Sequence, residues 1–81
     1  MLPDPNVETF GQYVRSLREQ QNIGQRELAR IIGVSAPYLN DIEKDKRGAP
    51  RPEMVEAMAE VLGADENRMF DLAGASRNDV A

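Results

Sequence analysis

Apolar residues along this chain recur at intervals of three and four positions in five successive segments, each closed by a short polar or glycine-containing break. From Thr9 to Gln21, Phe10, Tyr13, Val14 and Leu17 fall on one helical stripe. Thr9-Phe10-Gly11-Gln12 fits a capping box, in which the threonine oxygen and the glutamine amide satisfy the first free backbone amides. Asn22-Ile23-Gly24 breaks that helix. The segment QRELARII, Gln25 to Ile32, predicts a second helix with Leu28, Ala29 and Ile32 on one face, and Gly33 stands where a left-handed residue would end it. Val34 then points inward, and Ser35 suits the N-cap of a third helix running to about Lys44 and burying Leu39 and Ile42. Pro37 falls in its first turn, where a missing N–H costs nothing.

Asp45 to Arg51 is a polar connector containing Gly48 and Pro50. Pro52 predicts the start of a fourth helix with Met54, Val55, Met58, Ala59 and Leu62 inside, ended by Gly63. Asp65 caps a short fifth helix carrying Met69, Phe70 and Leu72. No strand-period alternation and no internal repeat interrupts this pattern. The expected fold is an all-α bundle of five helices: an N-terminal arm over 1–8, a domain over 9–73 and a flexible polar tail over 74–81.

Composition narrows the function classes. With 81 residues the chain makes one domain at most, with no cysteine for disulfides or thiol chemistry and no histidine for a zinc site or for activating Ser16, Ser35 or Ser76. A fold held by packing alone suits a reducing cytoplasm. The apolar pairs Ile31-Ile32 and Val61-Leu62 are far short of the ~20 residues that a membrane span needs. The run Asp41-x-Glu43-x-Asp45 resembles the start of a calcium loop, but Lys46 occupies the glycine position and Pro52 the twelfth. Glu53, Glu56 and Glu60 share the surface of one helix. No enzyme, metal or cofactor is expected.

Net charge is -4, which taken alone argues against a nucleic-acid partner. It is unevenly placed. Residues 15–51 hold eight cations against five carboxylates, a balance of +3, and the remainder holds Arg68 and Arg77 against nine carboxylates, a balance of -7. A mildly basic middle can act separately from an acidic remainder, because salt screens over roughly 8 Å; equally, such charges serve simply to keep a small protein in solution.

The informative stretch joins helices two and three. A link this short, with a small Ala29 at the crossing and Gly33 in the turn, sets a rigid angle and leaves one helix projecting, shaped to enter a major groove about 12 Å wide. Along the chain stand LRE at 17–19, GQRELA at 24–29, GVS at 33–35, YLNDIEKDKR at 38–47, Pro50 and VLG at 61–63. With these residues the chain resembles the λ-repressor-like (Cro/CI, XRE) helix-turn-helix DNA-binding domains over roughly Phe10 to Ala73. Members of that family number among the handful of reference systems for this docking geometry.

The resemblance implies a compact five-helix bundle and a sequence-specific DNA-binding transcriptional regulator of repressor type, with helix 35–44 in the groove of an approximately palindromic operator. Ser35, Ala36, Pro37 and Asn40 match groove-facing positions, and an asparagine can pair bidentately with adenine. Gln25 matches a phosphate-contacting glutamine, although it also reads as a plain exposed helical residue. Tyr38 either donates to a phosphate or packs partly buried. Lys44, Lys46 and Arg47 match the loop that touches the DNA backbone. Arg18 and Glu43 match an ion pair tying helix one to helix three, a structural role.

Two positions depart from the family pattern. Ala36 stands where glutamine is frequent, and Asp45 where glycine is common after the helix. By the same resemblance the chain is expected to act as a homodimer on double-stranded DNA in a bacterial or phage-encoded, nucleoid-associated setting. Met69, Phe70 and Leu72 serve as dimer-surface candidates or, alternatively, as plain core. Such a chain is either a minimal regulator or the DNA-binding part of a longer one. The alternative reading is a protein-interaction module on the same fold that has lost DNA binding, which the net acidity and Ala36 favour.

Overall fold

A computed structural model describes residues 8–77, of which the side chains of 76 and 77 are left aside. Five α-helices follow one another: α1 (Phe10–Gln20), α2 (Gln25–Ile32), α3 (Ala36–Glu43), α4 (Pro52–Leu62) and α5 (Glu66–Arg77). None is long and apolar enough to cross a membrane among the described residues.

The chain punctuates these helices with local chemistry. Thr9 and Gln12 form the expected capping box at α1: Thr9 Oγ1 accepts from the Gln12 amide at 3.0 Å, and Gln12 Oε1 accepts from the Thr9 amide at 3.0 Å. Gly33 and Gly63 both adopt left-handed backbone, with φ of 79° and 63°. Each ends its helix in the same way. The amides of Gly33 and Val34 bond back to the carbonyls of Arg30 and Ala29, and those of Gly63 and Ala64 to Glu60 and Ala59. Asp65 Oδ1 accepts from the amides of Asn67 and Arg68 and so caps α5.

Phe10, Val14, Leu28, Leu39, Ile42, Val55, Met58, Leu62 and Met69 form the centre of the core. α1 packs against α3, α4 and α5, while α2 rests on α3 and α4, so α3 is supported from two sides. The stripes expected from the pattern are the buried ones, with Tyr13, Leu17, Val34 and Met54 half-buried at their edges.

One expectation needs correction. α5 does not stop at Ala73. It continues to Arg77, so residues 74–77 are helix rather than tail; Ala73 is fully buried, and a small residue there seats the helix without marking an apolar stripe in the sequence. α3 ends at Glu43, with Lys44 as its C-cap. Met69 is wholly inside and belongs to the core, whereas Phe70 and Leu72 are half-buried. Of the expected arm over 1–8, residues 1–7 lie outside the described residues, as do 78–81 of the expected tail; Glu8 meets Arg68 at 3.4 Å.

Candidate nucleic-acid interface

Three residues, Gly33-Val34-Ser35, join α2 to α3. The left-handed turn at Gly33 reverses the chain, and Ser35 Oγ accepts from the Tyr38 amide at 3.2 Å, which sets the first turn of α3. Leu39 and Ile42 anchor the inner side of α3. On its other sides Ser35 and Pro37 are exposed, while Ala36, Tyr38, Asn40 and Asp41 are half-buried.

The last turn of α3 is fixed by charge. Glu43, whose side chain is 2% exposed, takes both branches of the Arg18 guanidinium: Nε donates to Oε2 at 2.8 Å and Nη2 to Oε1 at 3.0 Å. Arg18 Nη1 donates further to the Ile23 carbonyl at 2.9 Å, so one guanidinium binds α1, the α1–α2 loop and α3 together. The hydrogen bond to Glu43 raises the pKa of Arg18 above its ordinary value, burial opposes this, and the charges of Glu43 and Glu19 add to the rise.

Gln25 and Asn40 belong to the same group. Gln25 Nε2 donates to Oε1 of Glu43 at 3.1 Å and reaches Oδ1 of Asn40 at 3.4 Å. The sequence assigned Gln25, Asn40 and the Arg18–Glu43 pair to three different tasks, yet their polar ends form one continuous chain.

Beyond α3 the backbone turns at Asp45, whose φ of 59° is the left-handed conformation that glycine would adopt there. Asp45 Oδ2 accepts from Thr9 Oγ1 at 2.8 Å and so ties the start of α1 to the loop after α3. Lys44, Lys46 and Arg47 are exposed. Arg47 lies over the Tyr38 ring, 4.6 Å from its centroid, which orders one basic side chain against α3. Next to Tyr38 an open cleft of about 420 Å³ runs between the α2–α3 turn and the start of α4, lined in part by Ser35, Arg51 and Met54. The acidic side chains Glu53, Glu56, Glu60, Glu66 and Asp71 are exposed on α4 and α5, separate in the chain from this basic loop.

Gly11 is a residue of this site that pattern reading passes over. A Cβ there would meet the carbonyl oxygen of Ile42, that of Glu43 at 2.9 Å and Oδ1 of Asp45 at 2.7 Å. The first turn of α1 touches the end of α3 backbone to backbone. A glycine inside a helix is the one signal the sequence offers, and it does not identify the partner thirty residues away.

A model of the helix-turn-helix domain family matches residues 9–72. The chain is 41% identical over 56 residues to the HTH-type transcriptional repressor RghR of Bacillus subtilis, covering 69% of this chain and 42% of that protein. It is 36% identical over 55 residues to the immunity repressor protein of Bacillus phage phi105, covering 68% and 38%. Among solved structures it is similar to SinR in complex with DNA, a master regulator for biofilm formation, with a TM-score of 0.70 and 27% identity over 78% of this chain and 100% of that one. The chain spans less than half the length of these two curated relatives.

Proposed function

Because the chain belongs to the λ-repressor-like (Cro/CI) helix-turn-helix family, we propose that it is a sequence-specific DNA-binding transcriptional regulator of repressor type. α3 enters the major groove of an approximately palindromic operator, and the chain acts there as a homodimer in the cytoplasm. The observation that carries this reading is the α2–α3 junction: a three-residue link with left-handed Gly33 and a Ser35 cap, which leaves the outward side of α3 open to a partner.

Ser35, Ala36, Pro37 and Asn40 face base edges. Ala36 offers a methyl group, suited to the thymine methyl, where a longer amide would hydrogen-bond. The N-terminus of α2 at Gln25 approaches one phosphate, and Tyr38, Lys44, Lys46 and Arg47 meet others on the far side of α3. The reading is supported by likeness to a repressor, an immunity repressor and a DNA-bound regulator. In this role the protein binds DNA and catalyses nothing.

Selection of bound duplexes from a random pool at near-physiological salt tests it. The expected outcome is enrichment of an inverted repeat whose half-sites lie about one helical turn, ~34 Å, apart. No enrichment by protein shown to be helical by circular dichroism would overturn the reading in favour of a protein-interaction module.

A further inference from the structure

Lys44, Lys46 and Arg47 follow α3 as exposed cations, and among the described residues none of them forms a salt bridge. Arg47 differs from the two lysines in having a platform, since its guanidinium lies over the Tyr38 ring. The backbone explains how a residue so far along the chain returns to the first half of α3. Left-handed Asp45 reverses the direction, and the Lys46 amide donates to the Asp41 carbonyl at 2.8 Å, so the next residue runs back along the helix. The platform is itself fixed: Tyr38 is half-buried and packs against the core, on a helix anchored by Leu39 and by the Arg18–Glu43 pair.

An arginine that grips a phosphate from a freely rotating state loses rotamer freedom as it binds. One already held over an aromatic face has lost that freedom beforehand, and its N–H groups remain available around the edge of the guanidinium plane. We propose that Tyr38 is a positioning residue for DNA-backbone binding: its ring orders Arg47 before DNA arrives, so that this cation takes a phosphate at reduced entropic cost. The inference rests on the reading of α3 as the groove helix. It gives the Tyr38 ring a task separate from any phosphate contact of the Tyr38 hydroxyl, and a phenylalanine would perform that task as well.

The test uses Tyr38→Phe and Tyr38→Leu, each alone and each combined with Arg47→Ala, beside wild type. Leucine keeps an apolar side chain and a good helix former at this position, and thermal melts confirm that every variant folds. Binding titrations on the selected operator and on unrelated duplex, over a range of salt, give the affinities. NMR of the free proteins reports whether the Arg47 side-chain protons carry the upfield shift of a ring beneath them. That shift is expected in wild type and Tyr38→Phe and is expected to vanish in Tyr38→Leu. With Arg47 present, Tyr38→Leu is expected to bind both duplexes roughly three- to tenfold more weakly than Tyr38→Phe. Its slope of log K against log salt should match that of Tyr38→Phe, because the charge is still delivered. Combined with Arg47→Ala, the two substitutions at Tyr38 should bind equally well.

If the difference between phenylalanine and leucine persists after Arg47→Ala, the ring acts on its own and the proposal falls. It falls too if Tyr38→Phe binds no better than Tyr38→Leu while Arg47 is present, or if the free wild-type protein shows no ring shift at Arg47. If that shift is present and wild type binds no duplex, the DNA-binding reading has failed, and the role of Tyr38 in it fails for that separate reason.

Discussion

Glu43 is the buried charged residue among the described ones, and everything around it answers to that cost. An ionised carboxylate removed from water needs a cation and hydrogen bonds at once. Arg18 supplies both at 2.8 and 3.0 Å, and Gln25 supplies one more bond. Arg18→Met would keep the aliphatic stem and leave the carboxylate without its cation. The expected loss is about 3 kcal/mol in chemical denaturation; under about 1 kcal/mol, as for an exposed pair, would show that the site is wetter than its geometry implies. Because the Arg18 pKa is raised, the titration of Arg18 itself takes nothing from this contribution at neutral pH and removes it only as pH climbs through the raised value. The deficit of the variant should accordingly stay constant across neutral pH. The Arg18–Glu43 pair was legible through the family resemblance. The share taken by Gln25 was not, since nothing in a spacing of eighteen residues shows that an amide on one helix reaches a carboxylate on another.

At the scale of helices, what holds α3 in place is the meeting of its end with the start of α1. Gly11 lets the two backbones touch, and the Thr9–Asp45 hydrogen bond closes the same corner. Gly11→Ala would gain about 1 kcal/mol in helix propensity, but its methyl group would press on the main-chain oxygens of Ile42 and Glu43, which cannot step aside as a side-chain tip can. Such overpacking costs about 1–3 kcal/mol, so thermal denaturation should find the variant less stable than wild type. An unchanged or raised Tm would mean that α1 can slide away at no cost. The contrast with the helix ends is instructive. Gly33 and Gly63 announced their left-handed turns because a chain break is a local event, encoded in a few adjacent residues. The extension of α5 to Arg77 was illegible for the opposite reason: Ala73-Gly74-Ala75 has no apolar period, and the burial of Ala73 depends on neighbours distant in sequence.

Across the whole molecule, charge is arranged against its own total. A chain of net charge -4 would be repelled by DNA if its charge were spread evenly, since duplex DNA carries one negative charge per ~1.7 Å of axis. Here the exposed cations Lys44, Lys46 and Arg47 sit beside α3, while exposed carboxylates such as Glu53, Glu56 and Glu60 lie on α4. Within about a Debye length of the loop, the local sign governs the encounter rather than the sum. Reversing Lys46 and Arg47 together to glutamate therefore isolates the contribution of that loop. Binding titrations of the variant over a range of salt concentrations should show weaker affinity for the selected operator and for unrelated duplex by a similar factor. The slope of log K against log salt should be shallower by about one for each phosphate that is no longer neutralised. The sequence preference itself should be unchanged, because neither side chain is assigned a base. Arg47 also stacks on Tyr38, so the single Lys46→Glu variant separates the two effects: its loss of affinity should be smaller and equally indifferent to sequence. Affinity and slope that survive the double reversal would place the loop away from the DNA, and a changed base preference would move Lys46 or Arg47 from the backbone to the groove.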